Sequence, residues 1–209
     1  VRGTQRRGDR RRQQLLEAAH TLISRLELPQ VTYAAVCAQA GVPPSSAHHF
    51  YPDLDALFRA LLEAHRDEHD AALMRPLRAR DRRSWQAVME CLIERAARYY
   101  RAHPVEAKLA LSGQTPAQLK RADRDADRTL ARRMLQVLED LFTVPRIPDR
   151  ESMAYAAIQL VDLMFTLSVA ESGRITPTWI EYAKKAAIGF LTQYFGERLE
   201  PRPPAPRTR

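Results

Sequence analysis

The chain has 209 residues, 45% apolar and 28% charged, which allows a core without disulfide or metal support and excludes an intrinsically disordered protein. Its two cysteines, Cys37 and Cys91, sit inside apolar helical patterns, so a disulfide scaffold is excluded and a reducing cytoplasm is expected. The net charge of +8 is concentrated at the start, where residues 1–12 hold six arginines against the single acid Asp9.

Those arginines (Arg2, Arg6, Arg7, Arg10, Arg11, Arg12) call for a polyanion. Nucleic acid fits better than a membrane, because no lipid-facing amphipathic helix accompanies them, although a basic tail also serves plain solubility. No secretory leader is read, since no apolar block of the right kind follows the basic stretch. No run approaches the ~18 uncharged apolar residues of a membrane span. The longest, Ala154 to Ala170, is interrupted by Gln159 and Asp162 and reads as a buried core helix.

Apolar residues recur at helical spacing along the whole chain, and proline makes most of the breaks. Leu15, Leu16, Ala19, Leu22, Ile23 and Leu26 form the first stripe, predicting a helix from Asp9 to Leu26 that ends before Pro29. Thr32 is an N-cap for a short second helix that Gly41 closes. Ser45 and Ser46 begin a third, stopping near Tyr51-Pro52, and Asp53 caps a fourth that reaches about Met74. Further helices are predicted over Ser84–Ala102, Val105–Ser112, Thr115–Phe142, Glu151–Ser172 and Pro177–Leu199, with a turn at Val144–Asp149. Residues 201–209, with four prolines and three arginines, are expected to be a disordered tail. The expectation is an all-α protein of about nine helices. Residues 1–52 form an N-terminal domain with a basic arm, residues 53–200 a helical domain, and the helix over 53–74 connects them.

Thr32 to Tyr51 is the informative stretch: a helix of about eight residues, a tight turn at Gly41 and a second short helix have the geometry of a DNA-reading helix-turn-helix. Tyr33, Val36, Cys37 and Ala40 supply the buried face of the first helix, and Val42, Ala47 and Tyr51 close the core from the second. Here the chain resembles the TetR family of transcriptional regulators. The resemblance rests on Gln14-Leu15-Leu16-Glu17-Ala18-Ala19, Val31-Thr32, Ala38-Gln39-Ala40-Gly41-Val42-Pro43 and Phe50-Tyr51-Pro52-Asp53-Leu54-Asp55-Ala56-Leu57-Phe58, within about residues 9–62. Two departures stand out. Ser45, Ser46, Ala47 and His48 replace the usual Gly, Thr, Leu and Tyr, and Leu54 replaces a lysine that typically grips a phosphate. The arginine arm is a candidate substitute for that lost contact.

The resemblance implies a dimer on double-stranded DNA. Pro44, Ser45, His48 and His49 are expected to meet base edges, His49 donating to guanine N7 or O6 and Pro44 packing on a thymine methyl. Thr32 and Ser46 would add hydroxyl contacts to phosphates beside the helix N-termini, and Arg6, Arg7 and Arg10 would hold the backbone. The plain alternative is that His48-His49 is a solvated helix face. A symmetric dimer places two recognition helices about one DNA turn (~34 Å) apart, so the operator should be a near-palindrome.

In the resembled family the C-terminal helices enclose an effector pocket and build a four-helix dimer seam. Trp85, Met89, Tyr99, Phe142, Asp162 and Phe165 are the effector-binding candidates. Asp162 is singled out because its helix is otherwise apolar nearly all round, and a buried carboxylate requires a partner; pairing with a neighbouring helix is the structural alternative. Ala157, Ala187, Phe190, Leu191 and Tyr194 are the dimerisation candidates. His65 and His69, four apart with Asp70 adjacent, share one face of the fourth helix and make at most half a zinc site, so no metal or other cofactor is expected. The chain carries no nucleophile elbow, phosphate-cradling glycine loop or convincing acid–base pair, so it is not expected to be an enzyme. The expected function is a cytoplasmic, ligand-responsive repressor that touches no membrane. The alternatives are a nucleic-acid-binding adaptor without sequence preference and a helical enzyme using the C-terminal pocket.

Overall fold

The computed structural model describes residues 2–115 and 117–203, with side chains throughout these except at 2–6, 117, 118, 122 and 123. Among the described residues the chain forms nine α-helices: α1 (Arg2–Arg25), α2 (Tyr33–Ala40), α3 (Pro44–Phe50), α4 (Leu54–Leu73), α5 (Trp85–Ala102), α6 (Pro104–Leu111), α7 (Ala117–Leu141), α8 (Arg150–Ser172) and α9 (Pro177–Phe195). Two short 3-10 turns lie at Leu28–Gln30 and Ala79–Arg82. The only extended pairing among the described residues is an isolated bridge between Phe142 and Pro201.

Most boundaries follow local chemistry. The Thr32 hydroxyl accepts the Ala35 amide at 3.2 Å, Asp53 Oδ1 accepts the Ala56 amide at 2.7 Å, and the Ser84 hydroxyl accepts that of Ala87 at 3.2 Å. α3 starts at Pro44, one residue before the expected serines, because proline suits the first helical position, where its missing N–H costs nothing. α9 stops at Phe195 rather than Leu199. Gly196, at φ 69°, ends it there. The largest difference is α1, which begins at Arg2 instead of Asp9. Arginine and glutamine favour helix and no proline interrupts them, so the basic arm extends the first helix.

The chain divides into two compact units, Val1–His69 with Tyr100–Asp123 and Asp70–Tyr99 with Arg124–Arg209. The first is larger than the expected N-terminal domain. Its core takes Leu15, Ala19 and Ile23 from α1, Val36 and Cys37 from α2, Ala47 from α3 and Leu57, Phe58 and Leu61 from α4. Val105 and Leu109 of α6, with Leu119 of α7, complete it. Lys108 of α6 donates to the Leu26 carbonyl at 2.8 Å and pairs with Glu27 at 3.2 Å, so a cation closes the C-terminal end of α1.

The second unit is built on Trp85, Val88, Met89 and Leu92 of α5, Met134, Leu135 and Leu138 of α7 with Phe142 just after it, Met153, Ala154 and Ala157 of α8, and Leu191 and Phe195 of α9. The Arg95 guanidinium donates to the carbonyls of Leu73 (2.7 Å), Arg75 (2.5 Å) and Pro76 (3.1 Å), holding the chain that leaves α4. Of the expected disordered tail, 201–209, Arg202 donates its amide to the Leu141 carbonyl at 2.8 Å, just after Glu200 accepts from the Thr143 amide at 2.8 Å, and residues 204–209 lie outside the described residues. By length and hydropathy α8 could cross a membrane, a test that a core helix also passes. Here it buries Met153, Ala154, Ala157, Val161 and Phe165, packs on α9, and leaves Leu163 and Leu167 exposed.

Candidate nucleic-acid interface

The turn between α2 and α3 depends on Gly41, whose φ of 63° and ψ of 30° lie in the left-handed region. There its amide donates to the carbonyls of Cys37 and Ala38, satisfying the end of α2. Val36, Cys37, Val42 and Ala47 fill the space behind the pair. Burial pushes the Cys37 thiol above its ordinary pKa, so it behaves as a small apolar side chain.

What faces outward is ordered by aromatic contacts. The Tyr33 hydroxyl donates to the Tyr51 carbonyl at 2.6 Å, clamping the start of α2 to the end of α3. Burial, and then the neighbouring Cys37 and Asp53, raise the Tyr33 phenol pKa, which keeps it a hydrogen-bond donor. The His48 imidazole stacks on the Tyr33 ring, centroids 4.5 Å apart and planes 14° from parallel, and its Nδ1 lies 3.0 Å from the Pro52 carbonyl. His49 meets Phe50 edge-on at 5.4 Å. Pro44, Ser45, His48 and His49 are all exposed, while Ser46 is half-buried.

The N-terminal part of α1 joins this surface. Arg11 Nη1 donates to the Ser46 hydroxyl at 3.1 Å, and the Arg12 guanidinium lies 5.5 Å from the centroid of the Phe50 ring. A methyl group on Gly8 would come within 3.7 Å of the same ring. Arg7 and Arg10 are exposed on this helix, and the Arg6 side chain lies outside the described residues. Sequence reasoning missed Arg11, Arg12 and Tyr33 as shapers of the face. Arg11 and Ser46 are 35 positions apart, and no local pattern links them.

The His65 and His69 side chains make other contacts. His65 Nε2 approaches Glu106 Oε1 to 3.2 Å and His65 Nδ1 lies 3.6 Å from Glu68, while the His69 ring sits 5.5 Å from that of Tyr100. Among the described residues no group of three or more His, Cys, Asp or Glu side chains could hold a metal ion.

In the second unit Trp85, Met89 and Phe142 share one packed core, with Trp85 edge-on to Phe195 at 5.3 Å, and Tyr99 and Phe165 are also buried. Asp162 is half-buried rather than enclosed: one helical turn back, Gln159 Nε2 lies 3.5 Å from its carboxylate and donates to Asp127 at 2.8 Å. Helical spacing placed Asp162 in an apolar helix but could not say which side faced out. The dimerisation candidates are divided between core and surface. Ala157, Ala187 and Leu191 have no exposed surface in the single chain, so they serve its own core; Phe190 is half-buried and Tyr194 is 42% exposed. Leu163, Leu167 and Tyr182 are the other large apolar side chains exposed among the described residues.

A glycine-turned helix pair with a basic helix against it, followed by a helical C-terminal region, defines a helix-turn-helix DNA-binding regulator. Residues 83–195 match the family model described as "Tetracyclin repressor-like, C-terminal domain", and the chain belongs to the TetR family of transcriptional regulators. Solved structures agree in fold. A TetR-family regulator from Streptomyces coelicolor superposes with a TM-score of 0.67 at 16% identity, over 88% of this chain and 99% of that one. The multidrug binding protein EbrR, complexed with imidazole, gives 0.61 at 20% identity over 95% and 92%. The flavonoid-responsive regulator FrrA gives 0.55 at 18% identity over 90% and 99%. Identities this low speak for the fold alone. A search of curated proteins found no match.

Proposed function

We propose that the chain is a cytoplasmic repressor. It acts as a homodimer that holds a near-palindromic operator through two α2–α3 pairs and releases it when a small molecule binds the C-terminal helices. The observation that carries this reading is the exposed face of α3, where Pro44, Ser45, His48 and His49 stand on a helix braced from behind by Ala47 and from the side by Tyr33 and Arg11. Thr32 and Ser46 contact phosphates at its flank, with Arg7 and Arg10 supplying charge along α1.

Dimerisation is assigned to the outer faces of α8 and α9. Leu163 and Leu167 on α8, with Tyr182 and Tyr194 on α9, are the large exposed apolar side chains among the described residues. Phe190 flanks that face. The effector is read as a small, largely apolar molecule, in keeping with the multidrug-binding and flavonoid-responsive proteins that share the fold. Trp85, Met89, Tyr99, Phe142 and Phe165 would have to open to admit it. The buried Trp85 Nε1 has no acceptor among the described residues and offers such a ligand one polar contact. Release follows only if the effector prefers a dimer state that no longer matches the groove spacing.

The test is selection of the purified protein on random double-stranded DNA. A near-palindromic consensus, lost when a bound effector is supplied, supports the repressor reading. Binding without enrichment that merely fades as salt rises would reduce the protein to a basic adaptor.

A further inference from the structure

His48 is the one base-reading candidate whose ring is held on two sides. One face lies against Tyr33, and Nδ1 sits 3.0 Å from the Pro52 carbonyl. A backbone carbonyl can only accept a hydrogen bond, so Nδ1 must be the donor and carry the proton. In the neutral imidazole the other nitrogen, Nε2, is then an acceptor with its lone pair exposed. The partner fixes the tautomer, and the stack fixes the plane in which the lone pair lies.

Resting on the regulator reading above, we propose that His48 is a specificity-determining residue that accepts a hydrogen bond through Nε2 from an exocyclic amino group in the major groove. The donors available there are adenine N6 and cytosine N4. A neutral Nε2 finds no donor on guanine N7 or O6, on thymine O4 or on a phosphate oxygen, so those contacts fall to other residues. His48 thereby reads the opposite hydrogen-bonding sense from a tyrosine hydroxyl donating at the same place. The Nδ1 bond to Pro52 also ties this reading to the loop that starts α4, since Asp53 is the cap of that helix.

The experiment begins with the consensus selected by the wild-type protein from random duplexes and repeats the selection with His48→Phe and His48→Ala. His48→Phe keeps a ring on Tyr33 and removes both nitrogens; thermal melting verifies that the variants fold. Each position of the half-site that relaxes in the variants is then rebuilt in two ways. In one probe the amino group is deleted, with purine for adenine or pyrimidin-2-one for cytosine. In the other the N7 acceptor is removed with a 7-deazapurine. We expect the wild-type protein to lose about fivefold or more on the amino-less probe, the worth of roughly one neutral hydrogen bond. His48→Phe should be indifferent to the same change. A wild-type loss on the 7-deaza probe alone would make His48 a donor and overturn the assignment. So would variants that bind all sequences more weakly with a shallower salt dependence, which is the mark of a phosphate contact. A wild-type selection with no consensus would overturn the regulator reading itself, and a consensus that His48→Phe leaves unchanged would overturn this inference alone.

Discussion

The His65 imidazole on α4 and the Glu106 carboxylate on α6 face one another at 3.2 Å, Glu106 being 3% exposed and the one charged side chain buried among the described residues. His20 of α1 approaches the same oxygen to 3.8 Å. The three side chains bring α1, α4 and α6 together at one buried carboxylate, and a buried charge stripped of its partner is costly.

Replacing His65 with leucine should therefore destabilise the protein by about 1–3 kcal/mol, below the ~3–5 kcal/mol of a fully enclosed pair because His65 is itself partly exposed. Putting leucine at both His65 and Glu106 should recover most of that loss, since no charge is then left buried. Urea denaturation midpoints of the two variants check this. A single variant as stable as the parent would mean that the pair contributes nothing.

The helix-turn-helix should be sensitive at its two ends. Gly41→Ala forces a β-carbon into a left-handed conformation, at a cost of about 1–2 kcal/mol. Thr32→Ala removes the cap on the Ala35 amide and costs about 1 kcal/mol, while Thr32→Ser retains it. Thermal melts should rank the three accordingly, with Thr32→Ser nearest the parent. Equal melting temperatures for the alanine and serine variants at position 32 would argue against the cap.

Arg11 should matter to DNA binding beyond its charge, because it also positions Ser46. Under the proposed function, Arg11→Ala should weaken binding to all sequences and reduce the salt slope by about 0.9, the loss of one phosphate contact. Arg11→Lys would restore the slope more fully than the affinity, because a lysine cannot reproduce the planar guanidinium's bond to Ser46. Titrations at several salt concentrations separate the two effects. An Arg11→Ala variant with unchanged slope would confine Arg11 to packing.

The exposed rows on α8 and α9 lead to a prediction about assembly. Leu163→Glu or Leu167→Arg should shift a dimer toward monomer in analytical ultracentrifugation, with little change in helicity, because these side chains are not in the chain's own core. A dimer that persists in both variants would move the interface elsewhere. Ala187→Glu should instead destabilise the protomer itself, since Ala187 is wholly enclosed.

Much of the local architecture was legible in the residues. Thr32 and Gly41 bracket α2, Asp53 caps α4, and the spacing of Leu15, Ala19 and Ile23 marks the buried side of α1, because capping and helical periodicity act over a few residues. The matched segments around Gly41 and Phe50 were enough to point to a helix-turn-helix regulator. Which residues face out from α8 and α9 was not legible, since both helices are apolar on more than one side and periodicity cannot rank two apolar faces.

What the sequence by itself determined is therefore the helical class and the caps and turns, which follow from interactions within about one helical turn, and the helix-turn-helix motif, which follows from the matched segments within about residues 9–62. Only the tertiary structure decided that Val105, Leu109 and Leu119 complete the N-terminal core. It alone decided that Arg11 holds Ser46, that Tyr33 and Pro52 orient His48, and that Ala157 and Ala187 belong to the chain's own interior. Each of these joins helices through packing, and such packing depends on the complementarity of whole faces, which no short window of residues contains.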